Sequence, residues 1–430
     1  MSAPAGTSIV NGRLIDPANG IDAMLDLHLL DGKVAAVGAA PEGFQPATVI
    51  DARGQVVCPG LVDLAARLRE PGFEYKATIS SETAAAARSG ITTLCCPPDT
   101  DPVIDTPAVA TLIRRRAKQA RKARVLSVGA LTQGLRGEQL SEMAALQAAG
   151  CVALGNAQAP LVNTLVERRA LEYAATFGIT VFLRPEDRYL RDKGCVHEGV
   201  VAARLGLPGI PEAAETVAVA RDLALAEHTG ATIHFRGLST ATAVRMVRDA
   251  QAARLPVSAD VSAHQLHLTE NDLLDFDAQC HVTPPLRTPT DRDVLRQAVR
   301  DGTIAAICSD HQPHDIDAKE APFPATAPGI SALETLLPLT LRLVEEGVLD
   351  LPTAVERLSY GPARILSLPY GRLEVGRIAD VCVFDPQAVW RLDRETMASA
   401  GRNTPFHGWE FTGQVTHTLF EGRVVYRSAS

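Results

Sequence analysis

The sequence lacks any run approaching the roughly 18 to 20 consecutive apolar residues that a membrane span requires. Met1 to Thr7 is short and polar, without the apolar core of a signal peptide. No Gly-rich phosphate fingerprint follows the first strand-like segment, and no cysteine pair has zinc-ribbon or thioredoxin spacing. Basic residues are in deficit: 42 Lys+Arg against 50 Asp+Glu give a net charge of −8. That balance argues against nucleic acid as the main partner, since phosphate binding needs clustered Lys and Arg. The longest basic run, Arg114-Arg115-Arg116-Ala117-Lys118 continuing through Arg121, Lys122 and Arg124, sits at helical spacing between apolar residues and reads as a solvated helix face.

What is present is ordinary for a large globular chain: 430 residues, 46% hydrophobic and 21% charged, with 11 His to be followed individually. Several of the eight Cys fall inside apolar runs, as in Thr93-Leu94-Cys95-Cys96 and Ala305-Ala306-Ile307-Cys308, where Cys acts as a small core residue. A reducing, cytoplasmic setting is expected.

Both chain ends have β texture. Ser8–Val10 leads to Asn11-Gly12, a hairpin signal, and Met24–Leu30 leads through Asp31-Gly32 to Lys33–Val37. Near the other end, Asp380–Phe384 reads as a strand, and Val415–Phe420, Glu421-Gly422 and Arg423–Tyr426 as a closing hairpin. The spacing predicts one small β-sandwich built from residues 1–57 and 367–430. Between them, residues 58–366 alternate short apolar strands with Ala-rich helices. The strands are Leu61–Leu64, Thr92–Cys95, Arg124–Val128, Cys151–Leu154, Thr180–Leu183, Thr232–Phe235, Val257–Val261 and Ile304–Cys308. Helical stretches include Glu82–Ser89, Thr106–Ala123, Leu161–Phe177, Pro211–Thr229 and Thr240–Ala253. Eight βα units fit a closed (β/α)8 TIM barrel; an open doubly wound sheet is the alternative.

Chemistry in such a barrel gathers at the C-terminal ends of the strands. The eighth strand is followed by Ser309-Asp310-His311-Gln312-Pro313-His314, where an Asp and two His could bind metal or move a proton. Other strand ends present Arg67, Arg184 and Arg236. Guanidinium groups only donate and stay charged, so they cannot ligate a cation. They suit an anion or, the reading favoured here, salt bridges to Asp310, Glu186, Asp187 and Asp99.

The order of these motifs resembles the dihydroorotases of the amidohydrolase superfamily from end to end. Asp63–Gly72 matches the family's Asp-Leu-His-Val-His-Leu-Arg-Glu-Pro-Gly, and Arg184–Asp187 its His-Cys-Glu-Asp. His234–Thr240, Thr283–Arg287 and Ser309–His314 match later motifs, as do Gly376–Asp380 and Asn403–Phe406. Active members hold one or two metals, usually zinc, through a His-X-His pair, a bridging carboxylate, two further His and an Asp. Those positions here hold Ala65, Arg67, Asn156, Arg184 and Gly237, leaving a vestigial Asp310. The resemblance therefore implies no metal and no activated water, whose pKa would stay near ~15.7. Arg69 and His314 match the groups that hold the substrate carboxylate, and Asp99 stands where the family has Asn, which would repel an anionic substrate. The family includes degenerate dihydroorotases that act as non-catalytic partners of aspartate carbamoyltransferase, six copies of each chain forming a dodecamer. The resemblance implies that role here, with the chain as a homo-oligomer (a dimer) within the larger complex and the basic helix 111–124 as one candidate contact. Two rivals are an active dihydroorotase with an unusual zinc site drawn from Asp310, His311, His314, His234 and Asp99 or Glu186, and a metal-free enzyme using Asp310 and His314, with Cys95 or Cys96 as the nearest nucleophile.

Overall fold

Eight short strands, mostly apolar or β-branched and largely buried, form the centre of the molecule: β1 (Leu61–Asp63), β2 (Ile91–Cys96), β3 (Arg124–Ala130), β4 (Ala153–Gly155), β5 (Val181–Leu183), β6 (Ile233–Phe235), β7 (Val257–Ser262) and β8 (Ala306–Cys308). The computed structural model describes residues 6–428, so the Met1–Thr7 reading lies largely outside it. The strands lie in one sheet in chain order, every ladder parallel. Between β8 and β1 the closure is made beyond the strand ends. Ala66 bridges His311, with Arg67 N–H donating to His311 C=O at 2.9 Å and His311 N–H to Ala65 C=O at 3.0 Å. This is the predicted (β/α)8 barrel, not the open sheet.

The outer layer comprises α1 (Ile79–Arg88), α2 (Pro107–Ala120), α3 (Met143–Ala148), α4 (Thr164–Phe177), α5 (Ala213–Thr229), α6 (Ala241–Ala252), α7 (Pro289–Asp301) and α8 (Leu333–Glu345). Their starts carry side-chain caps: Thr78 and Thr288 each form a reciprocal capping box with the residue three positions on, and Asn163 accepts from Leu165 and Val166 N–H. Inside the barrel, Leu64, Ala65, Cys95, Val128, Ala153, Phe182, Ala306 and Cys308 form one cluster, so the interior is packed core rather than a channel.

Both chain ends build the β-sandwich. A four-stranded sheet comprises Lys33–Val37, Leu27–Leu30, Gly6–Val10 and Pro46–Asp51. A six-stranded sheet runs Arg423–Arg427, Glu410–Phe420, Val381–Arg391, Val56–Pro59, Arg13–Asp16 and Ile21–Met24. The period-2 alternation of strands explains how this layer serves two cores. Val57, Val381 and Val383 face Ile9, Leu27 and Leu29 across the sandwich, whereas Val56, Cys58, Cys382 and Phe384 belong to the barrel core. Two local expectations fail for one reason. Asn11-Gly12 does not close a hairpin, and Met24–Leu30 is not one strand, because in both places the chain leaves one sheet and enters the other.

Candidate functional site

The mouth of the barrel is assembled from the strand ends. Asp63, at the end of β1, is fully buried and accepts from Ser309 N–H at 3.0 Å, from Ser309 Oγ, and from Ala65 N–H at 3.2 Å. These bonds tie the ends of β1 and β8 together and turn the next residues across the top. Ala65 points into the packed interior and is wholly buried.

Arg67 fills the centre of the mouth with a side chain only 4% exposed. Its Nε donates to Asp99 Oδ2 at 2.7 Å and its Nη1 to Asp310 Oδ1 at 3.3 Å. Arg236 Nη2 lies 3.7 Å from the same Asp310 oxygen, while Gln312 Nε2 donates to Asp310 Oδ2 at 3.1 Å. Burial alone would raise the Asp99 pKa, but the Arg67 charge and hydrogen bond outweigh it and hold this carboxyl below its usual value. Burial would likewise lower the Arg67 pKa, and Asp99 and Asp310 reverse that. Arg184 donates to Glu186 Oε2 at 3.0 Å, and Arg191 reaches Glu186 Oε1 at 3.1 Å. Internal salt bridges thus account for the three mouth arginines, with one correction: Asp187 pairs with none of them. Its carboxylate accepts from Tyr189 and Leu190 N–H and caps the short helix Arg188–Arg191.

The remaining candidate positions hold structural roles. Asn156 Oδ1 accepts from Thr132 N–H at 3.2 Å and Thr132 Oγ1 at 3.0 Å. Gly237 adopts φ +64°, a region open to glycine, and its N–H donates to Asp260 Oδ1 at 2.6 Å. The cavity left between Arg67, Arg184, Arg236, Gln158, Thr283 and Asp310 measures about 20 Å³. That is room for about one water.

Arg69, with φ +61°, donates from Nε to Pro313 C=O at 2.9 Å, and its Nη2 lies 3.3 Å from His314 Nε2. His314 Nδ1 faces Lys76 Nζ at 3.2 Å and Nε2 faces Pro328 C=O at 3.1 Å. Burial, with Arg69 and Lys76 adding to it, pushes His314 down to about 3, so the ring is neutral, accepting from Lys76 and donating to Pro328. Burial and Arg67 lower Arg69 to about 10. Asp99, expected beside these groups, is turned to Arg67 instead.

The alternative zinc ligands are not brought together. His234, fully buried, contacts Ser258 Oγ at 2.9 Å and Asp260 Oδ2 at 3.1 Å. His311 contacts Glu82 Oε2 at 2.7 Å through Nε2 and accepts Ala332 N–H through Nδ1 at 3.0 Å. Among the described residues no three His, Cys, Asp or Glu side chains form a group that could hold a metal ion. The zinc of the rival reading does not fit this mouth: both Asp310 oxygens are engaged, and the flanking guanidiniums repel a divalent cation. Nor is a nucleophile poised. Cys95 and Cys96 are fully buried, and burial, with nearby carboxylates, raises both thiols, Cys96 to about 12 and Cys95 further. Sequence reading missed Lys76, Gln158 and Gln312; only Gln312, inside the Ser309–His314 motif, had a signal to follow.

A family model described as Dihydro-orotase-like matches residues 54–242, and one described as Amidohydrolase family matches residues 201–426. A "Dihydroorotase-like protein" of Pseudomonas aeruginosa is 52% identical over 97% of this chain and 99% of its own length. The chain belongs to the dihydroorotase-like amidohydrolase family. A relative named "Dihydroorotase" in Syntrophotalea carbinolica is 45% identical over 97% of this chain and 98% of its own length. Among solved structures, the L-hydantoinase (dihydropyrimidinase) from Arthrobacter aurescens superposes with a TM-score of 0.89 at 24% identity, over all of this chain and 97% of that one. That likeness concerns the fold, the barrel with its β-sandwich. Among the described residues no helix is long and apolar enough to cross a membrane.

Proposed function

We propose that this chain is a non-catalytic member of the dihydroorotase-like family, serving as a structural and assembly partner of aspartate carbamoyltransferase in pyrimidine synthesis. One observation supports the non-catalytic half: Arg67, at a position to which the resemblance assigns a metal ligand, is bonded to Asp99 and Asp310 in the centre of the mouth. A cavity of about 20 Å³ is far below the roughly 300 Å³ at which small-molecule sites begin. The partner half rests on the resemblance to degenerate dihydroorotases, in which the scaffold outlives the metal site. Eight free, buried thiols suit a cytoplasmic home.

The test is co-expression with the carbamoyltransferase of the same organism, followed by size exclusion, metal analysis and a dihydroorotate assay. Co-elution, dependence of carbamoyltransferase activity on this chain, no stoichiometric zinc and no dihydroorotate turnover are expected. Separation of the two proteins, with carbamoyltransferase activity indifferent to this chain, overturns the partner role. More than half an equivalent of zinc with turnover overturns the non-catalytic reading.

A further inference from the structure

A second cavity, of about 540 Å³, opens at the N-terminal end of β3, the end of the barrel opposite the mouth. Its walls are α2, the first residues of β3, Tyr370 and the closing hairpin of the β-sandwich, so it lies on the seam between barrel and sandwich. Arg114 and Lys118, four residues apart, share one face of α2, and Arg121 follows them at its C-terminal cap. Arg423 joins them from the hairpin. These four cations make no ion pair or side-chain hydrogen bond among the described residues. The fifth, Arg124, is held in place: it pairs with Asp380 at 2.6 Å and Glu421 at 3.4 Å, and its guanidinium lies 3.8 Å from the Tyr370 ring centre and 4.9 Å from that of Phe420. Glu421 is the one carboxylate on the lining, and it is turned to Arg124. The floor is apolar, from Ala117, Val125, Leu126 and Val425.

Five cations against one carboxylate line a concavity in a chain whose net charge is −8. Lys118 and Arg121 at the end of α2 complement the helix dipole, which is reason enough for those two. Arg114, in the middle of α2, and Arg423, from another element, gain nothing from it. Like charges converging on a concave surface repel one another, and the field they focus attracts an anion. The volume lies within the range of small-ligand sites. We propose that this cavity binds an organic polyphosphate with a planar, apolar body, of the nucleoside triphosphate class. Its phosphates would lie among Arg114, Lys118, Arg121 and Arg423 and its body on the apolar floor. The proposal is independent of the barrel mouth.

Calorimetric titration of the full chain tests it, with ATP, tripolyphosphate and adenosine as probes. Saturable binding of ATP is expected, tighter than that of tripolyphosphate, and weakened at least tenfold by Lys118→Glu with Arg423→Glu. Arg115→Glu, a charge reversal on the same helix but outside the cavity, should leave the affinity within twofold. Should the double variant melt early without ligand, Lys118→Gln alone should still weaken ATP severalfold. Absence of ATP binding at millimolar concentration, or equal weakening by Arg115→Glu, overturns the site. ATP no tighter than tripolyphosphate overturns the role of the apolar floor.

Discussion

Arg67→Met removes the central cation of the mouth while keeping most of its apolar stem. In the wild-type chain Arg67 is bonded to Asp99 at 2.7 Å and Asp310 at 3.3 Å, with its own side chain 4% exposed. Deleting one partner of a buried ion pair costs about 3 to 5 kcal/mol, because the remaining charge is left desolvated. Asp99 is 27% exposed, and Asp310 keeps Gln312 and the more distant Arg236, so a loss of about 3 kcal/mol is expected. At about 2.1 cal/mol/K per residue, a chain of 430 residues has an unfolding entropy near 0.9 kcal/mol/K, so the melting temperature should fall by about 3 °C. The loss should depend on pH with a definite sign. Without the Arg67 charge and hydrogen bond, burial should carry the folded-state pKa of Asp99 above its unfolded value. The folded variant then retains protons that the unfolded chain releases, and its deficit grows as pH rises through that window and shrinks toward pH 4 to 5. Scanning calorimetry of wild type, Arg67→Met, Asp99→Asn and the double variant reads the coupling directly. The double variant should recover most of the loss, since it removes the charge that was stranded. A cost below 1 kcal/mol for Arg67→Met, or no recovery on adding Asp99→Asn, would refute the clasp-like role given to this pair.

His264 and His281 are held near pKa 4 and His267 and His314 near 3, burial being the largest cause in each case. Below an unfolded value near 6.5 the unfolded chain takes up protons these rings do not, so each removes about 1.4 kcal/mol of stability per pH unit as pH falls from 6.5 toward 4. Imidazole NMR from about pH 7.5 to 4.5 should show these four rings neutral throughout; midpoints near 6.5 would contradict their burial. All eight thiols are free and buried, so an aromatic disulfide reagent should find none within minutes in the native protein and all eight in urea. One fast native thiol would be the contrary result. Gly237→His restores a family ligand type at φ +64°, with its Cβ meeting Pro284 Cδ at 3.6 Å. A stability loss of about 1 to 2 kcal/mol without stoichiometric zinc is expected, and zinc uptake by the single variant would show that the site is nearer to a metal centre than its geometry implies.

The barrel was legible in the sequence because its strands are short apolar runs spaced by Ala-rich helices, a pattern that survives without knowing any contact. α7 was not read, since Pro289–Asp301 carries acids and arginines along most of its length and buries a narrow stripe, Leu295, Ala298 and Val299 with Asp291. Asn11-Gly12 misled for a different reason: the turn chemistry is local, but whether the flanking strands pair depends on which sheet each one joins. At the mouth, residue types were enough to expect arginines neutralised by acids. Which acid meets which arginine was not, because Arg67 and Asp310 are 243 residues apart and become neighbours only when β8 closes on β1. The His311–Glu82 contact, 229 residues apart, has the same origin.

The closing seam between β8 and β1 has a consequence for how the mouth tolerates substitution. No strand ladder spans that seam among the described residues; it is joined by the Ala66–His311 bridge, the Asp63–Ser309 bonds and the Arg67–Asp310 pair. Arg67, at a position to which the resemblance assigns a metal ligand, helps to fasten the two ends of the sheet. Arg67→His would remove one of these three fastenings and, with Ala65, Arg184 and Gly237 unchanged, would assemble no metal ligand set. The mouth side chains are thus part of the barrel's closure, and substitutions at exposed positions on the outer helices disturb that closure far less than substitutions at residue 67.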